Sequence, residues 1–251
     1  MSALRYVYAI CRPFPAALSA ELTGVGGVPP KLLRHGDLIA VVGSVPERDF
    51  AAEPLRRRLE DVHWLEATAR AHQGVLDALT AVTSPLPLRL ATVLRDDSGV
   101  RVMIDERRED FLRTLDRLDG RVEWDVRVYA DAAPEQAEAF TRRLHRTLSE
   151  CAEENRLLTP TNPASSRQAP SGEEGRHVLD AAYLVPRADS GEFVERLNSE
   201  GEEAGIRVEL TGPWAAYSFT GSTGLTGFTG VTGFTGLPSC TGRTGRTGRT
   251  G

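Results

Sequence analysis

Asp180-Ala-Ala-Tyr-Leu-Val185, then Phe193, Val194 and Leu197 at helical spacing, then Ile206-Arg-Val-Glu-Leu-Thr-Gly-Pro-Trp-Ala-Ala-Tyr-Ser-Phe219, is the stretch that decides the fold. Its order is strand, helix, strand. A Gly212-Pro213 step follows, where glycine can take a positive φ and proline fixes its own, so the chain is expected to reverse there. Trp214, Tyr217 and Phe219 are large apolar anchors beyond that bend. Nothing in the Trp214–Phe219 end of the run makes a recognisable nucleophile, base or metal site, so it reads as a docking or core-closing element.

Working upstream, Val122, Trp124, Val126 and Val128 alternate with Glu123, Asp125 and Arg127, the pattern of a half-buried strand. Pro134 to Asn155 reads as an amphipathic helix carrying Phe140, Leu144, Leu148 and Cys151. Leu158 to Arg176 is polar and rich in Pro, Ser and Gly, as a loop is. The unit is therefore expected to run β-α-β-α-β, close to a ferredoxin-like arrangement.

The first half has its own elements. Leu4 to Ile10 reads as a strand, and the apolar run Asp37 to Val45 as a strand buried on both faces. Gly24 to Pro30 between them is a turn-rich connection without the third glycine or the helix of a dinucleotide fingerprint. A long helix is expected from Pro54 to about Val82, a strand from Pro87 to Leu94, and a helix from Asp105, its N-cap, to Leu118, stopped by Gly120. The expected class is α+β, with domains at 1–119 and 120–219 and a low-complexity tail at 220–251. In that tail Thr-Gly recurs at a three-residue step. The step meets the collagen glycine rule but lacks the prolines, so the tail is expected to be disordered.

Blocks from about residue 4 to 219 resemble the gas vesicle protein F/L family, and the tail lies outside the resemblance. They are Tyr6-Val-Tyr-Ala-Ile10, His35-Gly-Asp-Leu-Ile-Ala-Val-Val42, His72 with Val75-Leu76, Pro87-Leu-Arg-Leu-Ala-Thr-Val93, Val122-Glu-Trp-Asp-Val-Arg-Val128, Asp180 to Val185 and Leu210 to Phe219. Two departures stand out: Leu90-Ala91 where the family usually has Phe-Gly, and Ala215-Ala216 where it usually has two prolines. The resemblance implies two α+β domains, the second a modified ferredoxin-like fold. It also implies a non-catalytic accessory role in vesicle assembly, through binding the main shell protein and other accessory proteins at the gas vesicle in the cytoplasm.

Composition limits other classes. The chain has 251 residues, 40% hydrophobic and 26% charged, and a net charge of −5 to which Arg243, Arg246 and Arg249 of the tail contribute only positive charge. The remainder is thus more acidic still, which argues against a nucleic-acid surface. Cys11, Cys151 and Cys240 are far apart and form no CxxC, and no apolar run reaches the length of a membrane span. Neither the five histidines nor the serines fall into a catalytic or metal motif, so no cofactor is expected; His63 and His72 stand on opposite faces of one expected helix.

Two readings of site residues follow. Trp214, Tyr217 and Phe219 are candidates for core packing or partner docking, with Trp214 expected in the core and the other two partly exposed. Arg89, an arginine in an apolar strand, needs a partner if buried. It carries the rival expectation of a ferredoxin-like small-molecule enzyme or ligand-binding module that holds an anion there.

Overall fold

The computed structural model describes residues 3–15, 18–19, 21–158, 176–201 and 203–221. Most of the Leu158–Arg176 loop, nearly all of the tail, and Cys240 lie outside the described residues. The chain forms two antiparallel sheets with helices, a mixed α and β architecture.

The first sheet contains β1 (Ala3–Cys11), β2 (Lys31–His35) and β3 (Leu38–Pro46), in the order β2-β3-β1. β2 and β3 form a hairpin whose two-residue turn places Gly36 at φ 60°, the first central position where glycine is favoured. β2 itself lies in the stretch between the first two expected strands. On the far side of β1, the expected strand Pro87–Leu94 pairs only at its ends, as β4 (Leu86–Pro87) and β5 (Val93–Leu94). Between them the chain bulges, with Ala91 at φ 62°.

Helices cover both faces of this sheet. The expected helix Pro54–Val82 is broken: after a single turn, α1 (Glu47–Phe50), come α2 (Ala52–Leu59) and α3 (Val62–Thr80). Asp61 breaks it by accepting the Trp64 N–H at 3.2 Å as the N-cap of α3. The periodicity that suggested one helix counted Val62, which is 54% exposed. On the opposite face, α4 (Asp97–Glu106) and α5 (Arg108–Leu118) replace the single helix expected from Asp105. The cap is Asp96, which accepts the Gly99 N–H at 2.8 Å, while Asp105 lies in the last turn of α4 and meets His35 Nε2 at 2.7 Å.

The second half runs β6 (Arg121–Ala130), α6 (Pro134–Glu150), β7 (Glu154–Leu157), β8 (Arg176–Pro186), α7 (Ser190–Ser199) and β9 (Ile206–Trp214). The strand order is β7-β8-β6-β9, all antiparallel. β7 is an addition to the expected elements: the helix expected to reach Asn155 stops at Glu150, and Glu154–Leu157 forms a strand. Gly212-Pro213 does not reverse the chain either. β9 runs through it with a register shift opposite Glu123–Asp125, and Trp214 is again paired with Glu123. Gly212 has φ 139°, and a Cβ there would lie 2.8 Å from the Glu123 carbonyl oxygen and from the Trp124 ring.

Three apolar clusters fill the interior. One lies between β1, β3 and α3, and another between the second sheet and α6–α7. The remaining cluster joins the halves: Val7, Ile10, Met103, Phe111 and Leu115 pack with Ala182, Leu184, Ala216 and Phe219. Among the described residues no helix is long and apolar enough to cross a membrane.

Candidate functional site

Polar residues set among core positions in several elements of this chain are brought together where the halves meet. β1 contributes Tyr6, α3 contributes His72, β6 contributes Glu123, and the turn after β9 contributes Tyr217 and Ser218. Tyr6, His72 and Glu123 are almost wholly removed from solvent.

His72 is the hub. Its Nδ1 is 2.9 Å from Tyr6 Oη and its Nε2 is 2.5 Å from Tyr217 Oη. A neutral imidazole satisfies both contacts when the Tyr6 hydroxyl donates to Nδ1 and Nε2–H donates to Tyr217 Oη. Tyr6 Oη in turn accepts the Ala91 N–H at 3.0 Å, so the bulge between β4 and β5 is part of the same chain of bonds. Neighbouring Tyr8 accepts the Val25 N–H at 2.8 Å, with its ring against Gly24 and Gly43, where a Cβ would meet the hydroxyl at 2.2 and 2.8 Å. Burial disfavours the imidazolium and pushes His72 down to about 3, with the Leu88 backbone partly opposing. Burial likewise raises the Tyr6 and Tyr217 hydroxyls well above their usual range.

Glu123 supplies the second tie. It accepts the Ser218 N–H at 2.8 Å and the Ser218 hydroxyl at 2.6 Å. Burial first, then the nearby charge of Asp125, pushes its carboxyl up to about 8, against the pull of the two Ser218 bonds. Asp125 is raised to about 6, again mainly by burial. Further ties cross the same junction: Arg117 donates to the Phe219 carbonyl and to Glu154, and Arg187 donates to the Thr80 carbonyl at 2.7 Å.

The aromatic candidates separate. Phe219 is fully buried in the shared cluster, beneath the Arg156 guanidinium, which corrects the expectation of partial exposure. Tyr217 is half-buried as a residue but its hydroxyl is committed to His72. Trp214, expected in the core, keeps part of its surface at the end of β9 beside exposed Pro213. Arg89 is exposed on the bulge and stands near Arg107, so it is neither buried in a strand nor gathered with the other three. Among the described residues no group of three or more His, Cys, Asp or Glu could hold a metal ion. Cys11 is buried, which pushes its thiol up to about 12 and away from nucleophilic use.

This junction can hold segments together, and its histidine is poorly suited to proton transfer near neutrality. His72 has both ring nitrogens engaged and stays neutral through the range where an ordinary histidine titrates. Sequence reading named His72 and Tyr6 within separate blocks and did not bring them together. The usable signal was a polar side chain at a core position, such as His72 in line with Leu76 and Leu79, which must find a partner once buried.

Comparison with known proteins gives consistent results. The family model for gas vesicle synthesis protein GvpL/GvpF matches residues 4–139 and 130–221. Gas vesicle protein L of Streptomyces sp. is 49% identical over 87% of this chain and 93% of its own length. Gas vesicle protein F of Streptomyces sp. is 34% identical over 85% and 98%. Crystal structures of GvpF from Anabaena sp. and Microcystis aeruginosa superpose with TM-scores of 0.68 and 0.65 at 17% and 16% identity. They cover 87% and 86% of this chain, and 96% and 98% of theirs.

Proposed function

We propose, from the premise that this chain belongs to the gas vesicle synthesis protein GvpL/GvpF family, that it is a non-catalytic accessory protein that binds the main shell protein before assembly. A role in gas vesicle formation comes with the family. The finer step, holding an aggregation-prone shell subunit and handing it on, rests on physics: a wall that faces gas must be apolar, and such a surface needs a temporary partner in water. The protein would then act at the vesicle from the cytoplasm, alongside other accessory proteins.

The observation that carries this reading is the buried junction. Its polar groups are spent on fixing the halves against each other, which suits a rigid platform for a partner better than a reaction centre. In this reading the chain has units at 1–119 and 120–219, the second a modified ferredoxin-like fold. The β-α-β-β-α-β order and the β7-β8-β6-β9 sheet support that fold assignment. Trp214, still partly accessible beside Pro213, is the docking candidate of the aromatic trio.

A pull-down of the tagged protein with the main shell protein tests the proposal. Trp214→Ala is expected to leave unfolding nearly unchanged and to weaken capture by about 2 kcal/mol, roughly thirtyfold. Absence of any shell-protein capture by the wild-type chain would refute the binding role.

A further inference from the structure

We propose that β9 is a homodimerisation edge, pairing antiparallel with β9 of a second copy about a two-fold axis at Val208. β9 is an outer strand of its sheet, nine residues long, and no described strand pairs with its far side. The other outer strands are shorter: β7 has four residues and β2 has five. A long free edge is a template for another strand unless something blocks it.

The hydrogen-bond phase shows which groups face outward. Asp131 N–H donates to the Gly205 carbonyl at 2.8 Å, so in the β6–β9 ladder residues 205, 207 and 209 direct their backbone groups at β6. Ile206, Val208 and Leu210 therefore direct theirs away. The Ile206 N–H is taken by the Glu203 carbonyl, which leaves, among the described residues, the Ile206 carbonyl and both groups of Val208 and Leu210 for a partner.

The side chains then match themselves. Pairing about Val208 sets Arg207 opposite Glu209 of the other copy and Glu209 opposite its Arg207, on the polar face of the sheet. On the helix face it sets Ile206 against Leu210 and Val208 against Val208. Those three apolar residues are only partly buried against α6 and α7, so a second copy would cover their remaining surface. Within one chain Arg207 and Glu209 already pair side by side, and Arg207 lies 4.2 Å over the Tyr129 ring. The charges are thus held in the plane that such an exchange requires. Pro213 and the bulge at Gly212 end the ladder, which keeps it short and suits two strands rather than an open fibre.

Charge reversal in the full-length protein tests this, under reducing conditions so that cysteines play no part. Sedimentation velocity over a concentration series should show reversible dimerisation of the wild type. Glu209→Arg alone and Arg207→Glu alone should each weaken it by about tenfold or more, because both cross-strand pairs become like-charged. An equimolar mixture of the two variants should dimerise again, since arginines of one copy then oppose glutamates of the other. Melting curves establish that each variant is folded. A wild type that stays monomeric at every concentration, a dimer indifferent to both reversals, or a mixture that fails to recover would each overturn the proposal.

Discussion

β1 and β6 are the central strands of their sheets, and they are buried in different ways. From Tyr6 to Cys11 every residue of β1 is closed off, because α3 lies on one face and α4–α5 on the other. β6 has one apolar face, Val122, Trp124, Val126 and Val128, beneath α6 and α7. Its other face carries Glu123, Asp125, Arg127 and Tyr129, and of these only Glu123 is fully buried. The cover over Glu123 is the chain's own segment after β9. The first sheet is thus completed by helices that follow it closely in sequence, and the second by a few residues that return to the joint from the C-terminal side.

The largest effect is expected at Phe219. If that segment closes the shared core, Phe219→Ala should cost about 3–5 kcal/mol, as for a fully buried aromatic truncated to alanine. Trp214→Ala, at a partly exposed position, should cost clearly less. Urea unfolding of the two variants checks this. The reverse order of cost would mean that the strand end, and not the turn beyond it, closes the core.

Acidity adds a second difference, because His72 has one slope and Glu123, with its raised neighbour Asp125, has the opposite one. The Glu123 carboxyl lies near 8 in the fold against 4.5 ordinarily, so it contributes full stability below about 4.5 and loses it as pH rises through 8. His72 lies near 3 against 6.5, so its contribution is present above 6.5 and is lost as pH falls toward 3. Stability should therefore peak between these flanks, in mildly acidic solution. Glu123→Gln, which can still accept from Ser218, should flatten the alkaline flank and leave the acid flank in place. Melting temperatures from pH 4 to 9 would show it, and an unchanged alkaline flank would remove Glu123 from the account.

How far the sequence could be read follows the same division. The alternation from Val122 to Val128 and the continuous apolar run from Asp37 to Val45 point directly to β6 and β3, the first half-buried and the second buried on both faces. β7 was missed because Glu154-Asn-Arg-Leu157 has no apolar alternation; it is ordered by pairing with β8. The break at Asp61 is hidden because the 3.6-residue pattern continues across it, and α4 is hidden because Asp105 offers itself as a cap in place of Asp96, although Asp61 and Asp96 are both ordinary capping residues. Gly212-Pro213 was read as a reversal because local chemistry permits either a turn or a bulge, and only the β6 partner decides between them. The hydrogen-bonded junction was the least legible feature. His72 and Tyr217 are 145 positions apart, and no local pattern encodes that contact.

The smallest expected effect concerns Ala91, where the chain departs from the family's usual glycine. Ala91 has φ 62°, a left-handed conformation that costs a residue with a Cβ roughly 1 kcal/mol or more and glycine almost nothing. The conformation is held because it aims the Ala91 N–H at Tyr6 Oη. Ala91→Gly would keep that bond and relieve the strain. Against this, glycine adds freedom to the unfolded chain, worth about 0.4–1 kcal/mol, and removes a methyl that packs beside the β1–α3 cluster. The balance favours a gain of about 0.5 kcal/mol, a rise in melting temperature of roughly 1–2 °C. Ala91→Val should lower it, since a β-branched residue tolerates positive φ worse than alanine. A fall in melting temperature with glycine would mean that the methyl contact outweighs the backbone strain, and that the first sheet has adapted its packing to the alanine.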